Sequence, residues 1–171
     1  MKTVAIVGGN GFIGKNLANY FVGNGYQVVI ADRSVGGIKT ENDSISYFSV
    51  DIHHTPELLG ICKHADFVIW LVHASVPSTK DDSVVDDFML NISPILKFLE
   101  KVDSSSLSKF IYLSSGGTVY GNTVTNLPIS ETQDLNPISN YGLSKAIAEN
   151  YIRYITKNKS FETVILRPSN V

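Results

Sequence analysis

Cysteine is nearly absent from the 171-residue sequence: Cys62 stands by itself. That excludes a disulfide framework and a cysteine-based zinc site, and fits a reducing compartment. No charge of one sign dominates, since 14 basic residues face 16 acidic ones. A net charge of −2 gives no electrostatic reason to expect nucleic acid or an anionic membrane surface as partner. Long hydrophobic runs are missing too. Phe67–Val72 and Val4–Val7 are far too short to span a bilayer. Gly8-Gly9 ends the second run before it could serve as a secretory signal, so the expectation is a soluble cytoplasmic protein. Neither repeats nor low-complexity tracts divide the chain. What is present is a 43% apolar composition, which excludes intrinsic disorder and suffices for one buried core.

Short β-rich runs alternate with helical patterns. Strands are expected at Thr3–Val7, Gln27–Ala31, Ile45–Val50, Phe67–Val72, Phe110–Ser114 and Thr163–Arg167. Several are continuously apolar, as parallel strands covered on both faces must be. Helices are expected at Ile13–Asn24, Pro56–Lys63, Asp81–Val102 and Ile138–Lys157. The long third helix carries Val85, Phe88, Ile92, Leu96, Leu99 and Val102 at helical spacing, which predicts one apolar stripe. Pro94 interrupts it and should kink it, at a cost of about 3 kcal/mol in an ordinary helix. Strand–helix–strand alternation of this kind implies an α/β fold with a right-handed, doubly wound parallel sheet.

Gly8-Gly9-Asn10-Gly11-Phe12-Ile13-Gly14 lies between the first strand and the first helix. Glycines at 8, 11 and 14 allow a tight turn, close approach of backbone to a pyrophosphate, and close helix–strand packing. The helix amino terminus then offers unpaired N–H groups to the phosphates. A glycine pattern is weak evidence by itself; the strand before it and the helix after it supply the context it needs. Asp32 ends the second strand, eighteen residues after Gly14, where an acid can hold ribose hydroxyls. That favours NAD over NADP, although the neighbouring Arg33 could tolerate a ribose phosphate.

Tyr141 and Lys145 stand four apart on one face of the last expected helix. Pro137 suits its first turn and Asn136 its cap. Leu143, Ile147, Tyr151 and Tyr154 form a second, apolar face, leaving Tyr141 and Lys145 free of core packing. A phenol beside an ammonium can take a proton from a substrate hydroxyl while hydride leaves the same carbon. Without the glycine loop such a pair would read as an ordinary surface feature.

The ordered set of motifs resembles the extended short-chain dehydrogenase/reductase family, in its NAD-dependent epimerase/dehydratase branch. The resemblance runs nearly the whole chain. It rests on GGNGFIG, Asp32, Val50-Asp51-Ile52, Asp66-Phe67-Val68-Ile69, Asn91, LSSGGTVYG from Leu113, PISNYGLSK from Pro137, and Leu166-Arg167-Pro168-Ser169-Asn170-Val171. It implies a Rossmann sheet of strand order 3-2-1-4-5-6. It also implies NAD held by Gly8, Gly11, Phe12, Ile13, Gly14, Asp32, Arg33, Asp51, Ile52, Leu71, Val72, His73, Asn91, Tyr141, Lys145 and Pro168. Tyr141 would be the base, Lys145 would hold the nicotinamide ribose, and Asn170 would lie near the substrate. The implied substrate is a nucleotide sugar, a UDP-hexose, and the intact enzyme would be a homodimer. The family's substrate domain would follow residue 171, so these residues are expected to form the NAD-binding domain only.

Two departures from the family pattern bear on the site. The usual Ser or Thr four residues before the tyrosine of Val119-Tyr120-Gly121 is Gly116 here. Ser115 and Thr118 are the nearest hydroxyls that could replace it, and the sequence does not choose between them. Trp70, Val72 and His73 stand where His, Ala and Ala or Gly are more usual. His73 either crowds the nicotinamide side of the cleft or is a satisfied strand-end histidine, and the second reading is preferred. His53-His54 lacks the spacing of zinc ligands, so no metal is expected. Asp81, Asp82, Asp86 and Asp87 complement a helix dipole and receive no chemistry. The functional expectation is a nucleotide-sugar epimerase. A dehydratase or NAD(P)-dependent reductase of the same family is the alternative, and a non-catalytic dinucleotide-binding module is the rival from another class.

Overall fold

The computed structural model describes residues 1–34, 43–75, 83–122 and 128–169. Six parallel strands are hydrogen-bonded in the order β3-β2-β1-β4-β5-β6. They are β1 (Thr3–Val7), β2 (Gln27–Asp32), β3 (Ile45–Ser49), β4 (Phe67–Trp70), β5 (Lys109–Leu113) and β6 (Glu162–Leu166). The helices are α1 (Phe12–Gly23), α2 (Thr55–Cys62), α3 (Val84–Asp87), α4 (Ser93–Lys101), α5 (Gly116–Val119) and α6 (Asn140–Thr156). The expected doubly wound sheet is therefore observed, with strand ends moved by one or two residues. The short α5 was not expected.

The two faces of the sheet bury separate cores. On one face Trp70, Phe98 and Phe110 pack with ring centroids 5.6–6.5 Å apart, joined by Leu58, Ile95, Leu99 and Ile152 from α2, α4 and α6. On the other, Val4, Ile6, Val28, Ile30 and Ile69 pack against Ala18 of α1. Burial on both faces explains the near-continuous apolar runs of β1 and β4.

The single long helix expected at Asp81–Val102 is instead divided. Asp81 and Asp82 lie outside the described residues. The remainder is α3, a π-helical turn over Phe88–Ile92, and α4. Pro94 has no N–H and cannot continue an α-helical ladder. The wider turn ahead of it places Pro94 in the first turn of α4, where no such bond is needed. The extra residue per turn also shifts the buried stripe. Ile92, Ile95, Phe98 and Leu99 are buried, whereas Val85, expected on the stripe, is 69% exposed.

Helix α6 begins two residues later than expected, because Ser139 caps it by accepting a hydrogen bond from the Gly142 N–H at 3.1 Å. Asn136 instead donates its backbone N–H to the Val119 carbonyl. Its apolar side was also misread. Tyr151 and Tyr154 are exposed, and the buried side carries Gly142, Ser144, Lys145, Ala148, Glu149 and Ile152. Ser144, Lys145 and Glu149 face inward near α5 and the end of β5, while Ala148 and Ile152 on the same side join the apolar core.

Gly14 fixes how closely α1 approaches the sheet. A Cβ there would sit 2.5 Å from the Gly9 Cα, while one at Gly23 on the same helix would meet nothing within 4 Å. Gly14→Ala should therefore destabilise the fold by about 1–3 kcal/mol through overpacking. Gly23→Ala should be neutral or stabilising by up to about 1 kcal/mol. Urea denaturation of both variants checks the contrast.

Candidate functional site

Most of the singled-out residues in the described part of the chain gather at the carboxyl edge of the sheet. Strand order places the reversal of winding between β1 and β4, and a cleft opens there. It has a volume of about 290 Å³ and is lined by Gly8, Gly11, Asp32, Arg33, Asp51, Ile52, Leu71, Val72 and His73, among others. Gly8 has φ +86° and its N–H donates to the Ala31 carbonyl, so the turn from β1 needs a residue without Cβ. A Cβ at Gly8 would also lie 2.8 Å from Val72. At Gly11 the nearest described atom would be 3.5 Å away, leaving space above the helix end. By helix geometry the N–H groups of Phe12, Ile13 and Gly14 have no acceptor within α1. Phe12 joins this cradle through its backbone, since its side chain is largely exposed.

Asp32 ties the glycine loop to β2. One carboxylate oxygen accepts from the Asn10 N–H and the other from the Ser34 N–H, both at 3.0 Å. The Asn10 amide group returns a hydrogen bond to the Ser34 carbonyl. Each carboxylate oxygen keeps a lone pair for a hydroxyl in the cleft. Asn91, singled out as a cofactor residue, is placed differently. It is buried behind the loop that follows β4 and does not line the cleft. Its side-chain oxygen accepts from the Ala74 N–H at 2.6 Å and its NH₂ donates to Asp87 at 3.0 Å.

The inner end of the site is formed by β5, α5 and α6. Tyr141 is half buried; burial raises its phenol above the ordinary value, and a hydrogen bond with the Ser115 side chain opposes that rise. Ser115 is thus the hydroxyl placed at Tyr141, while the Thr118 hydroxyl is buried with no hydrogen-bond partner among the described residues. The reason for glycine at 116 is steric. A Cβ there would be 2.6 Å from the Arg167 carbonyl oxygen, and the Gly116 N–H donates to the Pro168 carbonyl at 2.8 Å. Pro168 therefore meets α5 through its backbone. Asn170 lies outside the described residues.

Lys145 is not the uncommitted side chain that the helical pattern suggested. It is 3% exposed, and its Nζ donates to the Leu113 carbonyl at 2.8 Å. Burial pulls its ammonium down to about 8, partly offset by the charges of Glu149 and Asp87. Glu149, one turn further along α6, was not anticipated from the sequence. It is fully buried, accepts from the Ser114 hydroxyl at 2.6 Å, and is clamped by Arg167 at 2.6–3.2 Å. Arg167 also donates to the Tyr120 hydroxyl at 2.7 Å and to the Glu131 carbonyl at 2.9 Å. Spacing of four from Lys145 was the available signal for Glu149; its partner lies eighteen residues away and only folding reveals it. His73 also departs from expectation: it packs edge-to-face on Tyr141 with centroids 4.8 Å apart. Its Nε2 is buried without a partner among the described residues.

The sheet order, the glycine turn and the acid at the end of β2 define a dinucleotide-binding α/β protein. The chain belongs to the NAD dependent epimerase/dehydratase family, whose model matches residues 4–171. It is 32% identical over 172 aligned positions to a Methanocaldococcus jannaschii protein provisionally named UDP-glucose 4-epimerase. It is also 32% identical to the dTDP-4-dehydro-6-deoxyglucose reductase of Escherichia coli. Both alignments cover 98% of this chain and 55% of the relative. The fold is similar to that of Thermotoga maritima UDP-glucose 4-epimerase with UDP-glucose, at 28% identity and TM-score 0.83. It is equally similar to the Thermus thermophilus enzyme in complex with NAD, at 25% identity and TM-score 0.83. Those matches cover 96% of this chain and 54% of each structure. The chain thus spans about half the length of the curated relatives it matches.

The buried ammonium gives a pH signature. An unfolded chain keeps the Lys145 proton up to its ordinary 10.5, whereas the folded chain releases it near 8. Between those values the unfolded state binds the extra proton, so this group's contribution to stability rises with pH. Denaturation midpoints at about pH 7.5 and about pH 9.5 should therefore rise more for the native sequence than for Lys145→Met.

Proposed function

We propose that these residues form the NAD-binding half of a nucleotide-sugar epimerase acting on a UDP-hexose, completed by a substrate domain beyond residue 171. The observation that carries this reading is the continuity of one cleft edge. The cleft holds the glycine loop, Asp32 and Leu71–His73, and at its end His73 packs on Tyr141, which Ser115 and Lys145 in turn approach. The cradle fits a dinucleotide. Open space above Gly11 and the free N–H groups of α1 suit a pyrophosphate, and Asp32 retains acceptor capacity for ribose hydroxyls. Asp51 and Ile52 form the adenine side. NAD, when bound, supplies a hydride acceptor that also returns hydride.

The chain's own residues handle the proton. Tyr141 takes it from the sugar 4-hydroxyl and later gives it back to that same oxygen, as hydride returns to the opposite face of the keto-sugar carbon. Ser115 orients the phenol, so it takes the part that Gly116 cannot. Lys145 holds the nicotinamide ribose and favours the phenolate by its charge. A homodimer is supported by the exposed apolar residues Val84, Val85 and Met89, carried by elements that pack on α6 near exposed Tyr151. A reductase is the second reading, favoured by the equal identity to the Escherichia coli reductase and by Arg33 beside Asp32 in the cleft.

Two measurements test the proposal. In calorimetric titration NAD should bind more tightly than NADP, and Asp32→Ala should narrow that difference; equal or reversed affinities favour the reductase. In the full-length enzyme Tyr141→Phe should retain NAD yet lose nearly all interconversion of UDP-glucose and UDP-galactose. Ser115→Ala should lower the same turnover by about 10²–10³, the usual loss when one donor at a reacting oxygen is removed. Near-normal turnover in Tyr141→Phe would sink the assignment of the base.

A further inference from the structure

His73 is a polar side chain in the cleft wall to which the proposed reaction gives its nitrogens no part. Three observations bear on it. It lines the cleft together with Gly8 and Val72, just beyond the end of β4. Its ring stands edge-to-face on Tyr141, with centroids 4.8 Å apart and planes at 83°. Its Nε2 is buried and finds no hydrogen-bond partner among the described residues. A buried nitrogen left unpaired costs the folded chain free energy that a bound partner would recover. Burial and the nearby Lys145 ammonium pull the imidazole down to about 3, against an opposing pull from Asp87. Near neutral pH the ring is therefore uncharged and presents one N–H donor and one acceptor nitrogen.

The place of His73 in the strand order identifies what it would meet. A dinucleotide with its pyrophosphate on the Gly8–Gly11 turn and its adenosine over β2 and β3 must send its other half across β4 toward β5. Hydride leaves the carbon whose hydroxyl gives up the proton, so the nicotinamide ring must come within reach of the Tyr141 hydroxyl. His73 packs on that same tyrosine.

We propose that His73 is a binding residue for the nicotinamide ring, its imidazole pairing with the ring's carboxamide while its edge holds Tyr141 in place. A carboxamide carries both donor and acceptor and so matches a neutral imidazole in either tautomer. The lysine ammonium nearby makes a neutral partner preferable to a second cation. The assignment rests on the proposed NAD site and adds to it a residue that senses the ring rather than the phosphates.

The test compares NAD with ADP-ribose, which keeps the adenosine, pyrophosphate and second ribose but lacks the nicotinamide ring. His73→Phe keeps an aromatic ring against Tyr141 and removes both nitrogens. It should weaken NAD binding by about tenfold, the loss typical of one hydrogen bond with its partner left unsatisfied. ADP-ribose affinity should stay within about twofold, and His73→Asn should recover part of the NAD affinity because its amide retains donor and acceptor. The unaltered chain gives an independent readout in case a variant fails to fold. In a ¹⁵N spectrum of the histidine side chains, the His73 ring nitrogens should shift on adding NAD and not on adding ADP-ribose. Equal losses for both ligands in His73→Phe, unchanged NAD affinity, or identical nitrogen shifts with both ligands would overturn the proposal. Failure of the native chain to bind either ligand would instead remove the dinucleotide site itself.

Discussion

The Glu149–Arg167 ion pair is the constraint on which the inner half of the site depends. It is almost wholly buried, with the glutamate side chain 1% and the arginine 12% exposed. Burying two charges costs several kcal/mol each before their attraction offsets it, so such a pair is better evidence of registration than of stability. What it registers is specific. Through Ser114 it holds the end of β5; through Arg167 it holds the segment after β6, Tyr120 and the Glu131 carbonyl. The same segment closes on Gly116 and Gly117 with backbone carbonyls that leave no room for side chains. That fixes α5, and with α5 the position from which Ser115 meets Tyr141. Glu149 also sits one turn from Lys145 and helps keep a buried ammonium charged. A single acidic residue thereby couples two strand ends, one short helix and the charge of the site's lysine.

The outer half is organised by contacts of another kind. There the glycine loop approaches the sheet more closely than any side chain would allow. Gly8 meets Val72 just beyond β4, and Gly14 rests on Gly9. Asp32 then bridges the loop to β2 through two backbone N–H groups. The two halves are built separately, one on close backbone packing and one on buried charge. They meet at His73, which belongs to the cleft wall of the first and packs on the tyrosine of the second.

Local features carried most of the architecture. Continuous apolar runs, a glycine turn in strand–helix context and an acid at the end of β2 sufficed for the doubly wound sheet, because each is a short-range consequence of burial or turn geometry. The misreadings share a cause. Pro94 was expected to kink one helix, and the π-turn that accommodates it shifted the buried stripe off Val85. On α6, apolarity pointed to Tyr151 and Tyr154 as the inner side. The buried side is instead partly polar, because its neighbours include a strand end with its own hydrogen-bonding needs. Hydrophobic periodicity reports how a helix would pack on an apolar surface and is silent when the surface is polar.

By itself, the sequence determined the doubly wound parallel sheet, the place of the glycine cradle and the shared helix face of Tyr141 and Lys145, since residues four apart share a face whatever surrounds them. Only the tertiary structure shows why residue 116 is glycine, since the Arg167 carbonyl, about fifty residues along the chain, occupies the place of its Cβ, and that Ser115 hydrogen-bonds Tyr141. It also decided that Lys145 is buried, that Glu149 holds Arg167, and that His73 faces Tyr141 with a nitrogen unpaired. Each of these depends on atoms brought together from distant strand ends, and no spacing along a chain encodes the angle at which such ends meet.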